Sequence, residues 1–472
     1  MADSHFYFRG RFSLPVAGKV TVKVLAASWF EAWLGGEWLA EGPARFDRAH
    51  PEYETVVLDL DSGEHVLAMH VHYEGVLTRL MSEDFPLFVF ASVEAGGDPV
   101  AIEWRYLPLE AYRRTDQRID VVLGWIEWCE TAKLPQGWKE AGFDDSDWSE
   151  AVPSVLDVAS FHPLDLGYIR HIRQEPRMIG EGGLTHVGVS GNDPASAIMA
   201  RRLHDDEMPA QGRWMRFDLG KIRLGRVEIA LDVPAGTVVE TIYAESLNDD
   251  RVSPRIAACV GDPHTCNLDH FVARGGKQML KPLHPRGGRF LEVHVFGELD
   301  TAPDIEVVFE ERVYYGEQIE GAFSCNDGLL DRIWAVGVET LRSCSEDAIT
   351  DNPTRERGQW LGDVVGAGMD TLAASYSDMR PLKRGLLQAA RCARADGMVP
   401  AVYPGTIEFL TSFAIQWIHA IPHYFEITGD RDVLETLYPA AVENLRCFDG
   451  DVSDDGLCMN PTRWNFIDWG YR

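Results

Sequence analysis

No stretch of the sequence approaches about eighteen consecutive apolar residues, which excludes a membrane-spanning helix. Positive charge is scarce: 44 Lys and Arg stand against 74 Asp and Glu, a formal net charge of −30. Such a surface repels phosphate backbones and anionic lipid, so neither nucleic acid nor a membrane is expected as a partner. The cysteines, at 129, 259, 266, 325, 344, 392, 447 and 458, form no C-x-x-C pair, so free buried thiols are expected in place of disulfides or a zinc knuckle. The segment Met1 to Phe8 lacks the basic start and apolar core of a signal peptide, and both N-x-T triplets, at Asn352 and Asn460, are blocked by proline. A cytoplasmic address is the expectation. The P-loop, G-x-G-x-x-G and G-x-S-x-G patterns are missing too, which leaves nucleotide and serine-hydrolase chemistry without a foothold.

What is present is an ordinary globular composition, 45% hydrophobic and 25% charged over 472 residues, enough for two to four domains. The first third reads as strands: Phe6–Phe12, Val20–Val24, Thr55–Leu60 and His65–His72 are rich in Val, Leu and aromatics, with Gly, Pro and Asp between them. A polar turn from Gly137 to Trp148 carries two tryptophans suited to clamp a loop against a sheet. Further strands fit Arg213–Leu219, Arg226–Val233, Thr237–Glu245, Arg289–Val295 and Ile305–Tyr314. The periodicity then turns helical. Asn326 or Asp327 can cap a helix carrying Leu329, Leu330, Ile333, Trp334, Val338 and Leu341, and further helices fit 354–376, 379–395, 409–428 and 431–448. The stretch 409–428 is apolar nearly all round, so burial on most sides is expected. The expected domains are a β-sandwich at 1–157, a second at 158–316 and a helical domain from 317 to 472.

The densest chemical signal is Asp351-Asn-Pro-Thr-Arg355-Glu356-Arg-Gly-Gln-Trp360-Leu-Gly-Asp363. With Asp351 or Asn352 as N-cap and Pro353 at the first helical position, Glu356, Trp360 and Asp363 would share one helix face. The backbone rise would then set the two carboxylates about 10 Å apart. Two acids and an indole on one face suit sugar chemistry. One carboxyl protonates a leaving oxygen, others grip hydroxyls or raise its pKa, and the ring stacks on the sugar. A first-turn Glu also simply complements a helix dipole, so the spacing alone does not decide. His419, His423 and Glu426 fall on one helical face, but the helix is core-like and no Glu follows His419. His70 and His72 read as surface or half-buried strand residues, and the Asp pairs at 144, 249 and 454 as solvated turns. No metal and no cofactor are expected.

This motif closely resembles the D-x-P-x-R-E/D-x-x-G-W-x-G-D signature of bacterial α-L-rhamnosidases, glycoside hydrolase family 78. The likeness continues through Asp396 to Pro404, Thr428 to Arg431, Asp455 to Leu457 and Trp464 to Trp469. Upstream, Gly212 to Gly220, Tyr243 to Leu247 and Trp138 to Trp148 look like parts of the family's β-sandwich domains, the first of them sugar-binding. The resemblance implies two N-terminal jelly-roll-like β-sandwiches followed by part of an (α/α)6 six-hairpin glycosidase toroid. It implies inverting removal of terminal α-L-rhamnose with Glu356 as general acid. Asp351 and Asp363 take the places of carboxylates on the sugar hydroxyls, Arg355 flanks them, and Trp360, Trp464, Asp468 and Trp469 line the sugar site. Asn352 replaces a common Cys and Gln359 precedes the Trp, but every carboxylate is kept.

A full toroid has twelve helices, and residues 321–472 hold about five, so a truncated chain without the family's late general base is expected. Glu408 and Asp468 are the spare acids nearest the apolar helices. Two competing readings follow: a catalytically incomplete sugar-binding fragment, and a hairpin-toroid glycosidase for another sugar. An open half-toroid would also expose an apolar flank and favour a homo-oligomer.

Overall fold

A computed structural model describes residues 2–82, 85–115, 117–154, 156, 160–185, 193–205, 211–256, 265–299, 303–457, 459 and 466. Its N-terminal part contains β1 (Ser4–Leu14), β2 (Gly18–Ala27), β3 (Trp29–Leu34), β4 (Glu37–Gly42), β5 (Glu52–Leu60), β6 (Gly63–Tyr73), β7 (Phe88–Ala95), β8 (Asp98–Val100) and β9 (Glu103–Pro108). One sheet runs β9-β1-β6-β3-β4 and the other β5-β2-β7-β8. Alternate side chains of each strand point to opposite faces. Val20, Val22 and Val24 of β2 therefore meet Leu67, Met69 and Val71 of β6 in one core between the sheets. The two tryptophans of the polar turn close this sandwich as expected: Trp138 stacks on Tyr7 at 3.7 Å, edge-on to Trp33. Arg9, fully buried, holds the turn by its Nε bond to Asp145 (2.7 Å).

The second β region is a ten-stranded sheet built around one long strand, Gly212–Val233. Two strands were expected there; the observed strand is continuous but shifts register between Asp218 and Arg223. The shift lets its first half pair with Arg177–Thr185 and its second with Gly276–Leu280 and Ile305–Val313. Strands cross residue 157 in both directions. β10 (Glu127–Glu130) joins Leu268–Val272 in the large sheet, and His162–Pro163 pairs with β5. The two β regions are thus laced together.

Among the described residues, apart from the short helix α1 (Pro194–Met199), the α-helices lie in the C-terminal region: α2 (Gly328–Ser343), α3 (Met369–Ser375), α4 (Arg380–Arg391), α5 (Thr411–Thr428) and α6 (Arg431–Arg446). Leu361, Leu372, Leu386, Trp417 and Leu437 form their shared core. Gly429, at φ 70°, ends α5 in the left-handed conformation that glycine adopts without steric cost, and the Asp430 carboxylate caps α6 on the Val433 N–H. Among the described residues, no helix is long and apolar enough to cross a membrane.

Two helices depart from expectation. Helix α5 leaves Ile415, Gln416, His419, Pro422, His423 and Glu426 exposed, because α6 and the core cover only one side of it. On α2, Leu329, Leu330, Ile333 and Val336 are exposed, and only Val338, Leu341 and Arg342 are buried. With so little packing, α2 depends on its cap, where Asp327 Oδ1 accepts the Leu329 N–H at 2.9 Å. Asp327→Ala is expected to cost about 1 kcal/mol in urea unfolding; no change would mean that α2 contributes nothing to the measured transition. Of the described cysteines, 129 and 266 are buried and free as expected, whereas Cys325 is exposed at the loop before α2.

Candidate active site

The segment 351–363 does not form the single helix that its periodicity suggests. Asn352 Oδ1 accepts the N–H groups of Thr354, Arg355 and Glu356, acting as the N-cap of a single turn. One turn forms. Arg357 then takes φ 53°, and Asp351 closes the loop by accepting the Gly358 N–H at 2.8 Å. Gln359 and Trp360 leave as a short strand paired with Tyr403 and Val402. Asp363 opens a π-helical turn that leads into α3. Glu356, Trp360 and Asp363 therefore do not share a helix face, and the spacing of about 10 Å does not apply.

The loop still brings acids together. Burial, followed by the charges of Glu356 and Asp363, pushes the Asp351 carboxyl up to about 8. Neighbouring carboxylates in a desolvated loop resist ionising together, so Asp351 itself holds a proton at neutral pH. Trp360 donates its indole N–H to Glu356 Oε1 at 2.8 Å. Its ring is edge-on to Phe413. Asp363 is exposed, Arg355 is half-buried beside Glu356, and Glu408 is half-buried with its backbone bridged to Val402. Trp464, Asp468 and Trp469 lie outside the described residues. Phe466, between them, packs edge-on against Phe413.

Sequence reading missed Arg79. This buried arginine comes from the loop after β6 and donates through Nε to Glu356 Oε1 at 2.8 Å, with its guanidinium 5.0 Å from the Trp360 ring centre. Its 277-residue separation from Glu356 left no local signal. Because Arg79 and Trp360 converge on Oε1, Oε2 of Glu356 receives no donor from the described residues. Thr354 Oγ1 donates to Glu245, so the second β region also meets the loop.

Behind the loop lies a buried ionic cluster. Glu346 accepts from Arg45 (2.8 Å), Arg312 (2.6 Å) and Arg357 (2.6 Å), and Arg45 also binds Asp347 and the Arg357 carbonyl. Arg357, which adjoins the carboxylates in sequence, is thereby turned away from them.

Residues 318–472 match the family model of the bacterial α-L-rhamnosidase six-hairpin glycosidase domain. An α-L-rhamnosidase of Streptomyces avermitilis is 25% identical over 350 residues, 71% of this chain and 30% of that protein. One from Formosa agariphila is 21% identical over 231 residues, 48% of this chain and 21% of that protein. The chain thus spans less than a third of either curated relative. Among solved structures, the family 78 rhamnosidase of Bacillus sp. GL1 aligns with TM-score 0.85 at 17% identity, over 99% of this chain and 70% of that one. The S. avermitilis α-L-rhamnosidase complexed with L-rhamnose aligns with TM-score 0.69 at 19% identity, over 96% and 43%.

Proposed function

We propose that this α-L-rhamnosidase-like protein hydrolyses terminal α-L-rhamnosides by inversion, with Glu356 as the general acid. The observation that carries the reading is Glu356 anchored through Oε1 by Arg79 and the Trp360 indole, with no described donor on Oε2, inside the segment that the rhamnosidase domain family covers. As general acid, Glu356 delivers a proton from Oε2 to the glycosidic oxygen as the bond to the anomeric carbon breaks through an oxocarbenium-like state. Arg79 and the Trp360 indole fix the other oxygen and so aim the carboxyl. A second carboxylate, about 6.5–9.5 Å away in inverting enzymes, accepts a proton from the water attacking the opposite face. Asp351, Asp363 and Arg355 contact the sugar hydroxyls. Trp464, Asp468 and Trp469 complete the sugar site, joined by the ring of Trp360 on the side away from Arg79.

The reading is tested by comparing aryl α-L-rhamnoside, α-L-arabinoside and β-D-glucoside as substrates, with turnover of the rhamnoside expected to dominate. Faster release from either other glycoside would overturn the sugar assignment. The raised Asp351 value adds a pH dependence. The proton on Asp351 is held up to about pH 8 and lost above it, which adds a negative charge beside the sugar hydroxyls, so kcat/KM is expected to fall on the alkaline side of that value. Asp351→Asn removes the titrating group, so the alkaline limb should disappear. An unmoved limb would separate Asp351 from the titration.

A further inference from the structure

β6 carries His70 and His72 at a two-residue period, which places their side chains on one face of the sheet, and Glu74 follows directly after its last residue, Tyr73. This face is not at the surface, as its sequence suggested, but deep between the two β regions, with His70 and His72 both buried. The cross-strand partner of His72 is His5 of β1, and their rings stack at 3.9 Å. From the second β region, the loop before Arg286–Phe296 brings His284 Nε2 to 2.7 Å from His72 Nδ1. One ligand atom each from His72, Glu74 and His284 fall within 4.8 Å of one another.

We infer that His72 Nδ1, His284 Nε2 and the Glu74 carboxylate form a binding site for a divalent transition-metal ion, with zinc as the representative. Two imidazoles and a carboxylate are a recurring donor set for such ions, with the fourth position left to water. Four further observations support it. The Glu74 side chain is only 9% exposed, and its carboxylate takes no hydrogen bond from the described residues. A buried carboxylate without a partner is costly unless a cation joins it. His72 directs its other nitrogen, Nε2, to Asp3 Oδ1 at 3.2 Å, and Asp3 Oδ2 is held by the Thr115 N–H at 2.8 Å. That is the outer carboxylate that orients a metal-binding imidazole and fixes its tautomer. Glu127 accepts the N–H groups of Leu283 and His284, so the loop bearing the second imidazole is already fastened.

Of the nearby guanidinium groups, Arg118 donates to the Leu123 and Leu77 carbonyls, Arg286 is paired with Asp269 and Arg357 with Glu346. Without metal, the close His72–His284 approach is a shared N–H···N bond. Two bonds of about 2.05 Å at a tetrahedral angle would hold those nitrogens about 3.3 Å apart, so replacing the proton by the ion needs a shift of roughly 0.6 Å. Glu74 and His284 also line the cavity bounded by Trp29, Arg45, Thr354 and Arg357, which has room for a water. The ion would pin the first β region to the second beside the loop that carries Glu356.

The test uses the full chain, stripped with EDTA and titrated with Co2+ and then Zn2+. The expected result is one Co2+ per chain with the intense visible bands of a four-coordinate nitrogen–oxygen site. Zn2+ should abolish those bands and raise the unfolding temperature. His284→Ala and Glu74→Gln should each weaken uptake by at least ~100-fold, Asp3→Asn by ~10–100-fold, and His423→Ala not at all. Failure of the wild-type chain to take up stoichiometric Co2+ would overturn the site whatever the variants do. So would uptake unaltered in both ligand variants, or only the pale spectrum of six-coordinate surface cobalt.

Discussion

Glu356→Gln is expected to lower kcat on an aryl α-L-rhamnoside by ~10²–10⁴-fold while leaving the fold and the affinity for free rhamnose nearly unchanged. The expectation follows from where the contacts fall. Arg79 Nε and the Trp360 indole both donate to Oε1, and a carboxamide oxygen can accept both bonds. The substitution therefore keeps the side chain anchored and removes only the transferable proton. Steady-state kinetics with an equilibrium binding measurement separates the possibilities. A kcat loss smaller than ~10-fold would remove Glu356 from the acid role. A parallel collapse of binding and stability would mean that its work is structural.

Glu346→Ala carries the largest expected cost in stability, about 3–5 kcal/mol, because it leaves buried guanidinium groups without their shared carboxylate. Arg45 and Arg312 retain Asp347 and Glu41, but the pairing that turns Arg357 inward is lost. The loop after Asp351 should loosen with it, so activity falls as well. Burial alone would raise the Glu346 carboxyl. Arg357, Arg45 and Arg312 together outweigh it and hold the group below the ordinary carboxylate range. For a group depressed in the folded state, the stability it contributes is complete above the unfolded value of about 4.3 and is lost as pH falls through the folded value. The difference between wild type and Glu346→Ala in urea unfolding should therefore be full at pH 7 and shrink on acidification below about 4.3. A difference within about 0.5 kcal/mol at pH 7 would contradict the role given to the cluster.

What the sequence discloses about this molecule depends on how local the physics is. The cap of α2, the Gly429 terminus of α5 and the tryptophan clamp at 138 and 148 are decided by neighbouring residues and were legible. So was the grouping of acids at 351–363, although not its conformation. Periodicity describes a helix there, and Asn352 does cap its first turn, but Arg357 at φ 53° ends it after that turn. The long-range partners were not legible. Arg79 reaches Glu356, Arg45 reaches Glu346 and His284 reaches His72 across separations of 277, 301 and 212 residues. The burial of His70 and His72 had a faint signal. The alternation puts His70 and His72 on one face of the strand, and that face is buried where a surface or half-buried placement was expected.

The most direct measurement is proton NMR of the rhamnose first released by the full 472-residue chain from an aryl α-L-rhamnoside, recorded before mutarotation. Proton donation by Glu356 with water attacking the opposite face predicts β-L-rhamnose as the initial anomer. Initial α-L-rhamnose, or no release of rhamnose by the folded chain, would contradict the account.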